Sequence, residues 1–152
     1  MELNYQIDGP DDAPVVVLSN SLGTTLAMWA PQLAALSAQY RVLRYDTHGH
    51  GGTNNVGPTD LARLGQDVIA LLDHLDIPAA HFCGISMGGL TGLWLACHQP
   101  QRLLSVTVIN SAARIGDEAS WRARAQSVRQ NGLREIAASA PERWFSPAFR
   151  QS

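Results

Sequence analysis

Residues 15–19 read Val-Val-Val-Leu-Ser, an apolar, β-branched run with no polar side chain until its last position. A strand of that kind has no wet face, so it belongs inside a sheet that is covered on both sides. Residues 41–46 (RVLRYD), 79–84 (AAHFCG) and 103–110 (LLSVTVIN) predict three more such strands. Leu3, Tyr5 and Ile7 instead alternate with Asn4, Gln6 and Asp8, the period of a strand near a sheet edge with one wet face. Helical patterns fill the gaps. Pro31 suits a first helical turn and is followed by Leu33 and Leu36. Leu61, Leu64, Val68, Leu71, Leu72 and Leu75 form one stripe, with Thr59 predicted as its N-cap, Asp60 at the positive end of its dipole, and Pro78 as its stop. Residues 87–98 are apolar nearly all round and predict a helix buried on every side. Strands alternating with helices predict an α/β fold: a mostly parallel sheet flanked by helices, joined by right-handed crossovers.

The pattern changes after Ser111. No strand-like run follows, seven of the eleven arginines lie at or beyond position 114, and Trp121 and Trp144 appear among helix-forming residues. The expected organisation is an α/β core over 1–112 and the start of a helical lid or cap over 113–152. A net charge of −2 gives no electrostatic footprint for nucleic acid. The chain has no lysine, which excludes a Gly-Lys-Ser/Thr phosphate loop and Schiff-base chemistry. Cys83 and Cys97 lie in apolar surroundings and are expected to be buried free thiols; two cysteines alone make no metal site. The longest uncharged apolar stretch, 83–97, is 15 residues with four glycines, too short to span a bilayer. The N-terminal residues MELNYQIDGP lack the basic and apolar regions of a signal peptide, so a cytoplasmic location without membrane or nucleic-acid partners is expected.

Gly84-Ile85-Ser86-Met87-Gly88 joins the strand predicted at 79–84 to the helix predicted at 87–98. A strand that turns sharply into a helix holds its turning residue in a strained conformation, and bulk two positions to either side would strike the neighbouring elements. Ser86 is therefore the candidate nucleophile, its hydroxyl lifted above the carboxyl edge of the sheet; an ordinary serine N-cap is the alternative. An attacking serine needs donors for the oxyanion it creates. The Met87 N–H is one candidate, and the Leu22 N–H, in the loop SNSLGTTLAMW after the 15–19 strand, is the other.

The order of strand, SNSLGT loop, YDTHGHGGT loop and GISMGG turn resembles the α/β-hydrolase family. More narrowly it resembles the 3-oxoadipate enol-lactonases, through Asn20-Ser21 where many relatives carry His-Gly. The resemblance implies Ser86 as nucleophile, Leu22 and Met87 as the oxyanion hole, and hydrolytic opening of a five-membered enol-lactone, with no cofactor and no metal. Arg114 is a candidate for binding a substrate carboxylate and Trp144 for walling the pocket; each also reads as an ordinary surface or helix-packing residue.

The family order is serine, acid, histidine. After Ser86 the chain holds one histidine, His98, and one aspartate, Asp117. His98 lies twelve residues along the same helix, about 18 Å away, beyond the reach of a general base. His74 and His81 belong to the opposite sheet edge. His48 and His50 lie on the correct edge, where loop histidines that hold neighbouring backbone are the plainer reading. The expectation is a chain cut within the lid region and inert alone, with its acid and histidine in a further C-terminal segment, and with an open sheet edge that favours pairing with that segment or another copy. The alternatives are another esterase, a haloperoxidase-like or carbon–carbon bond hydrolase, and a non-catalytic fragment of the same fold.

Overall fold

The computed structural model describes residues 3–54 and 57–152, which divide into two compact units, Met1–Arg114 and Ile115–Ser152. The first is built on a five-stranded sheet of order β1-β3-β2-β4-β5. Its strands are β1 (Tyr5–Asp8), β2 (Val15–Ser19), β3 (Arg41–Tyr45), β4 (Ala80–Ile85) and β5 (Leu103–Ile109). Only β1 is antiparallel, paired with β3 from Tyr5 opposite Tyr45 to Asp8 opposite Val42. The β2–β3, β2–β4 and β4–β5 pairs are parallel. The strand over 15–19 lies at the centre, as its lack of a wet face requires.

Alternate residues of the central strands feed two cores. Val17, Leu43, Tyr45 and Phe82 pack with Val68, Leu71 and Leu72 of α2 (Leu61–His74) and Leu95 of α3 (Met87–His98). Val16, Leu18 and Val42 pack on the other face with Trp29, and with Leu33 and Leu36 of α1 (Ala30–Leu36). Helices thus cover both faces. Gly65 lets α2 and α3 approach closely, since a Cβ there would strike the Trp94 ring.

Several expectations are corrected. Asp60, not Thr59, caps α2: its carboxylate accepts the Arg63 N–H at 2.8 Å. Both residues are good caps, and the one whose side chain reaches back to the third helical N–H takes the role. Helix α3 is not buried on every side; Gly88, Gly89, Thr91, Gly92 and Leu95 are buried, whereas Ala96, Cys97 and His98 are exposed. Apolar composition does not tell which sides receive a neighbour. The thiols are free but not buried alike: Cys83 is half-buried and Cys97 exposed. Burial pushes the Cys83 thiol above its ordinary range. Strand β5 pairs with β4 alone and leaves Leu104 and Val108 exposed.

The second unit consists of α4 (Glu118–Asn131), α5 (Arg134–Trp144) and α6 (Pro147–Gln151). A capping box starts α4: the Asp117 carboxylate accepts the Ser120 N–H at 2.9 Å, and the Ser120 hydroxyl accepts the Asp117 N–H at 3.3 Å. None of the three helices buries a residue. Among the described residues no helix is long and apolar enough to cross a membrane.

Tyr45 is 2 % exposed, and its hydroxyl lies 2.7 Å from the Ser19 hydroxyl. Burial pushes its phenol far above the ordinary range; the Ser19 hydrogen bond opposes that shift and the charge of Asp67 adds to it. A group whose folded-state pKa is raised contributes stability below its unfolded pKa and loses it as the pH climbs further. Unfolding free energy should therefore fall above about pH 10, by up to about 1.4 kcal/mol per pH unit from this residue. Urea titrations at alkaline pH should show Tyr45→Phe with the shallower fall. Phe82, 1 % exposed at the centre of the larger core, gives the packing test. Phe82→Ala should cost about 3–5 kcal/mol, read as a shifted denaturation midpoint.

Candidate active site

The chain reverses its backbone at Ser86, between β4 and α3, where φ is 54° and ψ is −114°. A non-glycine residue at positive φ costs about 1–3 kcal/mol and persists only when its surroundings hold it. Three hydrogen bonds do so. The Ser86 N–H donates to the Ile109 carbonyl at 3.0 Å, the Ser111 hydroxyl donates to the Ser86 carbonyl at 2.7 Å, and the Leu90 N–H donates to that carbonyl at 3.0 Å. The flanking glycines are required by close approach. A Cβ on Gly84 would strike the Gly88 carbonyl, and one on Gly88 would strike the Ser19 carbonyl. Gly89 lies against Ser111 in the same way, where an added methyl would come within 2.6 Å of the Ser111 Cβ. The Ser86 side chain makes no cap hydrogen bond, so the N-cap alternative does not describe it. The residue is half-buried.

The loop after β2 is fastened beside this turn. The Gly88 N–H donates to the Asn20 carbonyl at 3.0 Å, which seats residues 20–22 on the N-terminus of α3. Asn20 is fully buried; its amide donates to the Tyr45 carbonyl at 2.7 Å and accepts the Trp29 indole N–H at 2.9 Å. Further along, the Leu26 N–H donates to Asp46 at 2.7 Å, and the other oxygen of that carboxylate accepts Asn4 Nδ2 at 2.7 Å and the Gly52 N–H at 2.9 Å. Between these anchors the Leu22 N–H has no acceptor among the described residues. Met87, as the first residue of α3, has no intrahelical acceptor for its N–H. Both amides are therefore unspent, and that of Met87 adjoins the strained serine.

Among the described residues none of the five histidines is hydrogen-bonded to Ser86, and all but His48, whose ring nitrogens have no hydrogen-bond partner, are engaged elsewhere. His50 Nε2 accepts the Gly23 N–H at 2.9 Å. His48 is buried with Nδ1 3.9 Å from Asp67, a carboxylate that also accepts from Arg63 at 2.8 Å. His74 meets the Tyr5 ring edge-on, His81 bonds Ser105 at 2.8 Å, and His98 stacks on Trp94 at 4.4 Å. Arg114, the last residue of the first unit, is exposed; Trp144, on α5 of the second unit, is 54 % exposed. Sequence reasoning missed Asn20, Asp46 and Ser111 as the residues that fasten the site. Most of their partners are main-chain atoms, which leave no signature in the sequence; the serine two residues beyond a strand that ends beside the turn was the one available hint.

A βαβ sheet with this serine turn defines a hydrolase architecture, and residues 14–134 match the alpha/beta hydrolase fold family, to which the chain belongs. It is 56% identical over 147 residues to 3-oxoadipate enol-lactonase 1 of Acinetobacter baylyi and 56% identical over 148 residues to enol-lactonase 2 of that organism, in each case 97% of this chain and 55% of the relative. The enol-lactonase of Burkholderia xenovorans LB400 superposes with a TM-score of 0.93 at 49% identity, over 98% of this chain and 58% of that one. A hydrolase from Pseudomonas aeruginosa does so with a TM-score of 0.93 at 47% identity, over 98% and 57%. The chain spans about half the length of the curated relatives it matches.

Gly88→Ala tests the turn. Its methyl must displace the Ser19 carbonyl and with it the Asn20 anchor, so the variant should lose about 1–3 kcal/mol of stability. Gly23→Ala, with no atom within 4 Å of the added carbon, should lose only the cost of a side chain at φ +81°, about 1 kcal/mol. Paired denaturation curves compare the two.

Proposed function

We propose that the chain is the nucleophile-bearing part of a serine hydrolase that opens an enol-lactone, 3-oxoadipate enol-lactone in the first instance. The observation that carries this reading is the half-buried Ser86, uncapped and held at φ 54° next to the unspent Met87 N–H. The likeness to enol-lactonases over nearly the whole chain supports the substrate class.

On this reading Ser86 Oγ attacks the lactone carbonyl carbon, and the Leu22 and Met87 N–H groups take the negative charge that forms on its oxygen. The ring C–O bond then breaks, the enolate leaves and takes up a proton, and it tautomerises to the ketone. Water hydrolyses the acyl-serine, releases the second carboxylate and restores the hydroxyl. A base must accept the Ser86 proton, and among the described residues no histidine contacts Ser86. The reading assigns the base and its orienting carboxylate to the part of the relatives' architecture that this chain does not span, and has the chain inert without it. That part, or a second copy, is the partner the reading implies, in the cytoplasm. Arg114 is the proposed partner of the substrate carboxylate, Trp144 an apolar wall, and Ile115–Ser152 the beginning of a lid. A second reading, a hydrolase-fold module without activity, is favoured by the lack of a hydrogen bond from any of the five histidines to Ser86 among the described residues.

The test is a chimera in which this chain replaces the stretch it matches in the Acinetobacter baylyi enol-lactonase. It should open the enol-lactone, and Ser86→Ala should lower its turnover by about 10⁴-fold or more. The 152-residue chain should turn over neither the lactone nor a p-nitrophenyl ester. An inactive but folded chimera would favour the second reading, and a chain active alone would bring His48 or His50 forward. In the chimera, Arg114→Ala should raise KM for the carboxylate-bearing lactone about 10-fold while leaving a neutral ester unchanged; equal effects would remove Arg114 from the site.

A further inference from the structure

The turn that carries Leu22 is held in an unusual way. Its internal bonds, Thr24 N–H to the Ser21 carbonyl at 3.2 Å and Thr24 Oγ1 to the same carbonyl at 2.8 Å, shape it but do not place it. Asn20 anchors one end and the Asp46 bond to Leu26 the other. At the crown, Gly23 is exposed, sits at φ +81°, and has nothing within 4 Å of a would-be Cβ. Packing therefore does not locate it. Among the described residues, two bonds tie the crown to residues outside the turn: the Thr24 hydroxyl lies 3.0 Å from Met28 Sδ, and the Gly23 N–H, the main-chain tie, donates to His50 Nε2 at 2.9 Å.

We propose that His50 is a positioning residue that sets the Leu22–Gly23 peptide of the oxyanion turn, and that it grips only as the neutral imidazole with its proton on Nδ1. The geometry allows no other form. An amide N–H can only donate, so Nε2 must present a lone pair. Nδ1 lies 3.0 Å from the His48 carbonyl, which can only accept, so Nδ1 must carry the proton. His50 itself stands on a stiff platform. Its N–H donates to the Thr47 carbonyl at 2.9 Å and its carbonyl accepts the Thr53 N–H at 2.9 Å. Thr53 is buried, with its hydroxyl donating to the Asp46 carbonyl at 2.8 Å.

A second proton, on Nε2, would set N–H against N–H and release the crown. The oxyanion turn, residues 20–26, contributes no ionisable side chain to this contact. The ionisable groups of the loop that carries His50 are Asp46, whose carboxylate is taken up by Leu26, Asn4 and Gly52, and His48, which faces Asp67. The assignment of a catalytic purpose to this tie rests on the reading of Leu22 as an oxyanion donor; the tie itself does not.

The experiment is nuclear magnetic resonance on the 152-residue chain. Long-range nitrogen–proton correlation should show His50 as the Nδ1–H tautomer at about pH 8, and hydrogen exchange should show the Gly23 amide protected about fivefold to tenfold over the intrinsic rate. That protection should vanish in step with the second protonation of the His50 ring, both followed on the same sample as the pH is lowered. His50→Gln, whose side-chain oxygen accepts at any pH, should keep the protection throughout that titration, and His50→Ala should lack it throughout. An Nε2–H tautomer, a protected Gly23 in His50→Ala, or a pH-dependent loss that survives in His50→Gln would each overturn the proposal. The wild-type tautomer and pH titration decide the matter even where a variant fails to fold. No turnover is measured, so a failure here is separate from a failure of the lactonase reading, which the chimera decides.

Discussion

The structure turns on a backbone conformation that a serine would not choose. Ser86 sits at positive φ because β4 must end and α3 must begin within one residue, directly over the centre of a parallel sheet. The energy of that conformation is offset by neighbours: the end of β5 binds its N–H, Ser111 binds its carbonyl, and the glycines at 84 and 88 remove the atoms that would collide. The order of the strands matters for the same reason. With β4 flanked by β2 and β5, the loops leaving both neighbours at their carboxyl ends arrive beside the serine.

Those loops are organised by buried polar side chains whose bonds go mostly to main chain. Asn20 links the β2 loop to β3 and to Trp29, while Asp46 gathers three N–H groups from three separate segments. A buried carboxylate with such donors is satisfied without a cation, and a buried amide with both ends used is satisfied without water. The Leu22 and Met87 N–H groups, by contrast, have no acceptor among the described residues.

Much of the scaffold was legible. The strand at 15–19 is reproduced residue for residue, because a strand buried on both faces is written as a continuous apolar run, and the others to within one or two positions. The serine turn was legible because steric demand for glycine on both sides of one residue is rare and specific. Burial of α3 was not, since the sequence records that Ala96 and Cys97 are apolar but not whether a neighbour arrives to cover them. The choice between Thr59 and Asp60 as cap depended on one residue of backbone phase, which composition does not carry. The fastening residues were silent because a bond to a carbonyl or an amide can be made to any residue type, so the partner contributes no letter to read.

The four tryptophans are shared evenly between the two units, Trp29 and Trp94 in the first and Trp121 and Trp144 in the second. Trp29 is 6 % exposed, while Trp121 and Trp144 are 38 % and 54 % exposed. Their surroundings differ accordingly: Trp29 lies in one apolar core and Trp94, half-buried, packs against the other, while the second pair is exposed. Intrinsic fluorescence of this chain is therefore a sum of a blue-shifted and a red-shifted emitter, each assigned by the fold to one unit. Collisional quenchers such as acrylamide will reach the second pair first, so unlabelled protein carries its own two-colour gauge of which unit loosens under stress.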